Sequence, residues 1–385
     1  MTALALEDRY FHAVLHFDWF LTLFGIHLHP PQSEMWKRWI TRAWTIFWLV
    51  LSLQSGLYLF FQMGLPRLKL SLSATTSSSG QMDDFNGFIF TTSPLIFYCL
   101  THINLVTIGQ NTFRLVLQNL SEIDSQLGHP DFSSNVRSYS FAAIAWIATR
   151  VVVLLFCSGI WRLRQHDRWW LYTIQEWISL LAGTFPLLAV WLYVLCLQLI
   201  LTYYKQLSAY LEGLKEPHFD EIVRTVRRME HLQQTTKIVH QRFGFMLMAN
   251  CCFALITMIN SSYYVVIYAK TNLLVFVWDS FIVMELFCRL LLYCQWADRI
   301  RAAATEMAFL LRKLRDLCSS IMKPVERSKL TLFILELSSK GERMPVLLGI
   351  LPLSKGLVLQ AVETALAFVV ILYQFRIMEE QKDIP

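Results

Sequence analysis

Six ionisable residues interrupt otherwise apolar stretches of the chain: Arg150, Glu176, Asp279, Glu285, Arg289 and Glu363. A charged side chain at the centre of a bilayer costs at least about 2.5 kcal/mol, so such residues pair, bind or conduct. Glu285 and Arg289 are four apart, the spacing that places both on one helical face and lets them pair with each other. Glu363 starts a different pattern. On a helix, Glu363, Ala367, Val370 and Gln374 fall in one stripe roughly 16 Å long, at about 1.5 Å per residue. Repeated around a symmetry axis, that stripe would make a carboxylate ring, an apolar constriction and an amide ring, the parts of a cation pore. The alternative is a Glu363 that pairs with a neighbouring helix or snorkels to the interface.

A second constellation spans five apolar segments: Phe88, Arg150, Tyr172, Glu176, Asn260, Tyr264, Trp278 and Asp279. Aromatic walls with a few convergent polar groups suit a small amphiphilic ligand. Glu176 and Asp279 would favour a cation such as an amine, an alkaloid or a guanidino compound. Arg150 could neutralise one of the two carboxylates. Each of these residues also has a plainer reading, as an interfacial aromatic or a polar residue at a helix end.

No catalytic constellation stands out, and no cofactor or metal is expected. The sequence has no Gly-rich phosphate loop, no His-Glu-x-x-His and no Gly-x-Ser-x-Gly. His102, close to Asn104, could serve a membrane acyltransferase, but a lone His in a helix more often packs and hydrogen-bonds. Eight cysteines (Cys99, Cys157, Cys196, Cys251, Cys252, Cys288, Cys294 and Cys318) lie in or beside apolar spans or in an inner loop. Their spacing fits neither a metal site nor an outer disulfide. Asp8-Arg9-Tyr10 spells a tripeptide of G-protein-coupled receptors but precedes every span, so it lacks its structural context.

These residues need a membrane scaffold. The chain is 55% hydrophobic and 16% charged, with a mean hydropathy of +0.43, whereas a soluble domain is about 25% charged. Seven segments meet the length of a helical span: Ala43–Met63, Asn86–Ile108, Tyr139–Ile160, Leu171–Leu201, Gly244–Tyr268, Asn272–Gln295 and Gly356–Arg376. Tyr10–His29 is broken by polar residues and is expected to lie on the inner surface as an amphipathic helix. The residues before it lack the basic n-region, uninterrupted apolar stretch and small-residue cleavage site expected of a signal peptide.

Lys and Arg concentrate before the first span, between spans four and five, and before the last span. That bias predicts a cytoplasmic N-terminus and an extracellular C-terminus, although Arg162, Arg164 and Arg168 run against it. A net charge of +6 so distributed does not indicate a nucleic-acid partner. Asp220–Phe243 and Ala297–Ser319 alternate charge with apolar residues at helical spacing, as in Ile300, Met307, Leu311 and Leu314. They should extend the spans into the cytoplasm or lie on the membrane surface. The expected plan is therefore an inner segment over 1–42, four spans over 43–201 and an inner helical extension over 202–243. Two spans over 244–295, an inner anchor over 296–355, a last span over 356–376 and an outer tail over 377–385 complete it. Pro345, Gly349, Pro352 and Gly356 break the anchor from the last span, leaving a separate helix near Ser328–Leu337.

The last span carries a resemblance. Val369-Val370-Ile371-Leu372-Tyr373-Gln374-Phe375 resembles the C-terminal signature of insect gustatory receptors, five hydrophobic residues followed by Gln-Phe. Ala367 and Phe368 stand where that signature has Thr and Tyr, and the change removes two hydroxyls near the expected pore. Asp18–Pro30 is similar to the Leu/Phe-rich entry before the first span of the same receptors. The resemblance implies an all-α membrane protein of seven transmembrane helices with a split last helix. It further implies a ligand-gated, non-selective cation channel assembled as a homo- or hetero-tetramer in the lipid of a chemosensory neuron's plasma membrane. The stimulus would be a small tastant. An insect odorant receptor has the same architecture, a G-protein-coupled receptor is the runner-up from another class, and a membrane enzyme ranks third.

Overall fold

The computed structural model describes residues 18–26, 28, 35–61, 65–66, 69, 81–127, 133–163, 181, 183–213, 219–268, 272–317, 323–342, 346–347 and 351–382. The described chain is helical apart from one hairpin. The helices are α1 (Met35–Leu59), α2 (Gln81–Asn104), α3 (Gln110–Leu127), α4 (Ser133–Leu163) and α5 (Phe185–Gly213). They continue with α6 (Phe219–Tyr268), α7 (Leu273–Leu317), α8 (Pro324–Glu342) and α9 (Lys355–Lys382). A π-helical step, Leu105–Gly109, joins α2 to α3 without a break. Each of the seven sequence-derived spans falls on a helix, the fourth only from Phe185 onward. By length and composition alone, three described helices could cross a membrane: Phe185–Gly213, Asp220–Tyr268 and Lys355–Met378.

α5 is the central pillar. Every residue from Phe185 to Leu201 is buried, as expected of a helix that is apolar all round. α7, α6, α4 and α2 pack around it. α6 and α7 form a long antiparallel hairpin, in which Asn272 starts α7 by accepting the Val275 N–H on its side-chain oxygen at 3.4 Å. The 50 residues of α6 and 45 of α7 reach roughly 75 and 68 Å. Both exceed the hydrocarbon core of about 30 Å more than twofold, so a large part of each stands outside the bilayer. Those parts are packed: Ile222, Val226, Met229 and Leu232 on α6, and Ile300, Met307, Leu311 and Leu314 on α7, are all buried.

The amphipathic helix expected over Tyr10–His29 is described only from residue 18, and there it differs from a surface helix. Residues 18–23 make a short helical turn that ends at Gly25, whose φ of 75° suits glycine alone. Leu21, Phe24, Ile26 and Leu28 are buried inside the protein. Thr45 Oγ1 donates to the Gly25 carbonyl at 2.6 Å, Trp44 Nε1 donates to the Thr22 carbonyl at 2.9 Å, and Arg114 Nε donates to the Leu28 carbonyl at 3.1 Å. The Asp18 carboxylate accepts the Leu28 N–H at 2.8 Å and closes the loop. The polar residues that argued for a water-facing helix thus include one that satisfies the backbone of a buried wedge.

Between α8 and α9 the chain forms a two-stranded antiparallel hairpin, β1 (Val346–Leu347) and β2 (Leu351–Pro352), with Leu347 opposite Leu351. It occupies the Pro/Gly-rich break read from the sequence. The separate helix expected near Ser328–Leu337 is the longer α8.

Candidate functional site

Antiparallel packing of α6 on α7 sets the register of the polar groups in the bundle. Cys251 Sγ and the Tyr293 hydroxyl are 3.2 Å apart at one level, and Ser261 faces Asp279 farther along. The Ser261 hydroxyl has no well-aligned hydrogen bond. Asp279 is 4% exposed, and Asn260, beside Ser261, is also buried. Asn260 Nδ2 donates to the Ile256 carbonyl at 3.0 Å, which leaves its Oδ1 and the nearby Thr257 hydroxyl unpartnered. This corner is rich in acceptors: a carboxylate, an amide oxygen and two hydroxyls. Its complement is a group with several N–H donors.

Arg150, on α4, does not turn to Asp279. Its Nε donates to Glu285 Oε2 at 2.8 Å, and Arg289 Nη2 donates to Glu285 Oε1. The sequence-derived Glu285–Arg289 pair is thus a buried cluster of three charges that ties α4 to α7. Tyr98 on α2 adjoins the cluster, and Gly183 just before α5 covers it closely: a Cβ there would sit 2.9 Å from Arg150 Nη2 and 3.0 Å from the Tyr98 hydroxyl. Phe88 stands half-buried on α2, its ring 6.5 Å from that of Phe60. Tyr264 stacks on Tyr268 at 6.0 Å, and Trp278 is half-buried next to Asp279. Tyr172 and Glu176 lie outside the described residues. A small apolar crevice lined by Tyr139, Ser140, Ala143, Trp191, Val194 and Leu195 holds none of the residues singled out from the sequence.

The sequence-derived pore stripe lies on α9. Glu363, Ala367, Val370 and Gln374 are all exposed on the protomer, while Ala365 and Val369 face inward. One side of this apolar helix therefore packs on α6 and α7, and the other is open. His102 lies elsewhere, fully buried at the end of α2, its ring stacked on Phe185 at 4.0 Å. Neither of its ring nitrogens has a hydrogen-bond partner. Stacked in the core, this imidazole is a packing group.

Ser261, Thr257, Tyr98 and Gly183 were not singled out from the sequence. Uncharged residues inside apolar helices carry no signal of their own, and only the helix register brings them to Asp279 and Arg150.

A helical bundle of this kind is also what the comparisons find. The profile of the 7tm Chemosensory receptor family matches residues 19–379. The chain belongs to that family. Its members are receptors, so the enzyme reading falls away. Among solved structures, the chain is similar to the insect olfactory receptor OR5 from Machilis hrabei in complex with eugenol. That match has a TM-score of 0.64 at 12% identity and covers 97% of this chain and 99% of the other. A second OR5 structure gives a TM-score of 0.60 at 13% identity, with the same coverage. No curated protein matches the sequence. At such identities the likeness establishes the fold, that of an insect chemoreceptor, and this family member shares it over nearly its whole length.

Proposed function

We propose that this chemosensory receptor is a gustatory-type subunit of a ligand-gated, non-selective cation channel, which detects a small cationic or bitter deterrent compound. The observation that carries the reading is the open face of α9, where Glu363, Ala367, Val370 and Gln374 line up without cover. Such a face needs an occupant. Four copies around an axis would give water a path past a carboxylate, a narrow apolar ring and an amide. The Gln374-Phe375 ending supports the gustatory reading.

In this reading the stimulus enters among Phe88, Asn260, Tyr264, Trp278 and Asp279, with Arg150, Tyr172 and Glu176 completing the pocket. Asp279 supplies the charge, since the nearest guanidinium groups are engaged with Glu285. Binding there would shift α6 and α7, the helices on which α9 packs, and widen the ring at Val370 and Gln374. The receptor would act in the plasma membrane of a sensory dendrite with its N-terminus cytoplasmic and its C-terminus extracellular.

Whole-cell recording of the full chain, alone and with related subunits, against a panel of amines and bitter compounds is the test. Glu363→Gln should change relative cation permeability, and an unaltered permeability would remove Glu363 from the pore. Asp279→Asn should raise the half-effective concentration of a cationic stimulus about tenfold or more; an intact response would end the pocket assignment. Epitope tags on intact and permeabilised cells decide sidedness, and a reversed result would restore a G-protein-coupled topology. Asn119-Leu120-Ser121 has the Asn-x-Ser pattern of a glycosylation acceptor, whose use would mark an outer segment, but it does not help there. The Asn119 amide donates to Thr235 Oγ1 at 3.1 Å from within a helix, which would hinder glycosylation on either side.

The likeness to OR5 favours a second reading, an odorant receptor of the same architecture. A volatile panel separates the two: activation by uncharged volatiles, undisturbed by Asp279→Asn, would select it.

A further inference from the structure

The crevice between α4 and α5 is separate from the Asp279 corner and from α9. Tyr139, Ser140 and Ala143 of α4 and Trp191, Val194 and Leu195 of α5 line it, and its volume is about 190 Å³. A pocket that encloses a small ligand holds about 300–1,000 Å³. This crevice therefore takes only part of a molecule, and its apolar walls suit a hydrocarbon part. Trp146, three residues past Ala143, meets Trp191 edge-on at 6.0 Å and bounds one end.

The other end lies at a membrane boundary. Arg150 pairs with Glu285, and Tyr139 meets Trp296 edge-on at 5.1 Å. These two contacts are eleven residues apart on each helix and run in opposite chain directions, so α4 and α7 are antiparallel in a fixed register. That register puts Arg137 level with Asp298 and within one residue of Arg299, roughly 1.5 Å along the axis. Both arginines are exposed there. The sequence-derived third span begins at Tyr139 and the sixth ends at Gln295, so both guanidiniums stand just past the hydrocarbon. Arg299 lies over the Trp296 ring at 4.9 Å, which holds it on the Tyr139 side of α7. Asp298 is turned to Arg301, 3.5 Å away.

An apolar slot bounded by aromatic rings at its deep end, with two guanidiniums at its mouth, has the polarity of a phospholipid. A guanidinium holds phosphate oxygens through paired N–H donors. The ammonium of a zwitterionic headgroup would meet repulsion from the second arginine, and a net-negative headgroup would not. We propose that this crevice seats one acyl chain of an anionic phospholipid, whose phosphate is held by Arg137 and Arg299. The lipid then braces α4 against α5 and α7 at that boundary. The site requires only that the chain lie in a membrane; it depends neither on the channel reading nor on which end faces the cytoplasm.

The experiment is photolabelling of the full chain in lipid nanodiscs, followed by peptide mapping. The probes are phosphatidylglycerol and phosphatidylcholine, each with a diazirine on one acyl chain. The phosphatidylglycerol probe should label residues 139–143 and 191–195. Unlabelled phosphatidylglycerol should displace it at about one-tenth the mole fraction that phosphatidylcholine requires. Arg137→Gln combined with Arg299→Gln should cut that labelling several-fold and erase the preference. Lys313→Gln combined with Lys329→Gln, an equal loss of charge elsewhere, should keep both. Equal labelling of the crevice by the two probes in the unmodified chain would overturn the proposal. So would phosphatidylglycerol labelling that misses both segments, and neither result requires a variant to fold.

Discussion

α5 and α9 are two apolar helices of similar length with opposite fates. Within its most apolar stretch α5 is 94% buried, whereas α9 is only 22% buried. Composition does not separate them. Their neighbours do: α5 is surrounded by α2, α4, α6 and α7, while α9 leans by one side on α6 and α7. An apolar helix inside its own chain gains from close-packed contact. One on the rim must find lipid or another subunit, and in lipid the hydrophobic effect does not choose between them. Hydropathy therefore marks a helix as suited to the membrane and leaves open whether it is a pillar or an interface.

The same contrast applies to two glutamates. Glu285 lies between two buried guanidiniums, and Glu363 lies on the open face of α9. Glu285→Ala strips a buried carboxylate from both arginines and should cost roughly 3–5 kcal/mol. Glu363→Ala should leave stability within about 0.5 kcal/mol and register only in ion conduction. Parallel thermal melts of the two variants would break the comparison if they fell together.

Apolar truncations sharpen it next. Leu192, 0% exposed on α5, should lose about 2–5 kcal/mol as alanine because the surrounding helices cannot close the cavity. Leu366, 59% exposed on α9, should lose under about 1 kcal/mol in a dispersed protomer. A larger loss confined to the assembled protein would show that a neighbouring subunit covers Leu366. Fluorescence size-exclusion profiles of both variants, in mild and harsh detergent, distinguish these outcomes.

A third substitution tests whether the N-terminal wedge belongs to the buried core that α5 organises. Phe24 meets Phe185, the first residue of α5, at 6.1 Å. Gly25→Ala would force a Cβ to 2.9 Å from Thr45 Cα at a positive φ, a cost of roughly 1–2 kcal/mol. A melting curve identical to that of the unmodified chain would mean that the wedge detaches before the bundle opens.

Helices were the most legible part of the chain, because backbone groups in lipid must be satisfied within a segment and long apolar runs allow no other structure. The continuation of α6 and α7 past the bilayer was legible for a related reason: Ile300, Met307, Leu311 and Leu314 recur at helical spacing and prove buried. The Glu285–Arg289 pair followed from a spacing of four. Farther from local spacing the sequence was less legible. Asp18, one of the polar residues that suggested a surface helix, is turned inward and accepts the Leu28 N–H.

The sequence by itself determined that this is a helical membrane protein, where its helices run and where the last one breaks. Those properties depend on neighbours a few residues apart. Only the tertiary structure decided that Arg150 serves Glu285 across 135 positions, that Asp279 keeps Ser261 for company, and that α5 is enclosed while α9 is bare. Those outcomes depend on how whole helices choose faces and register, a choice made by shape and charge contacts between distant segments that no single stretch of sequence contains.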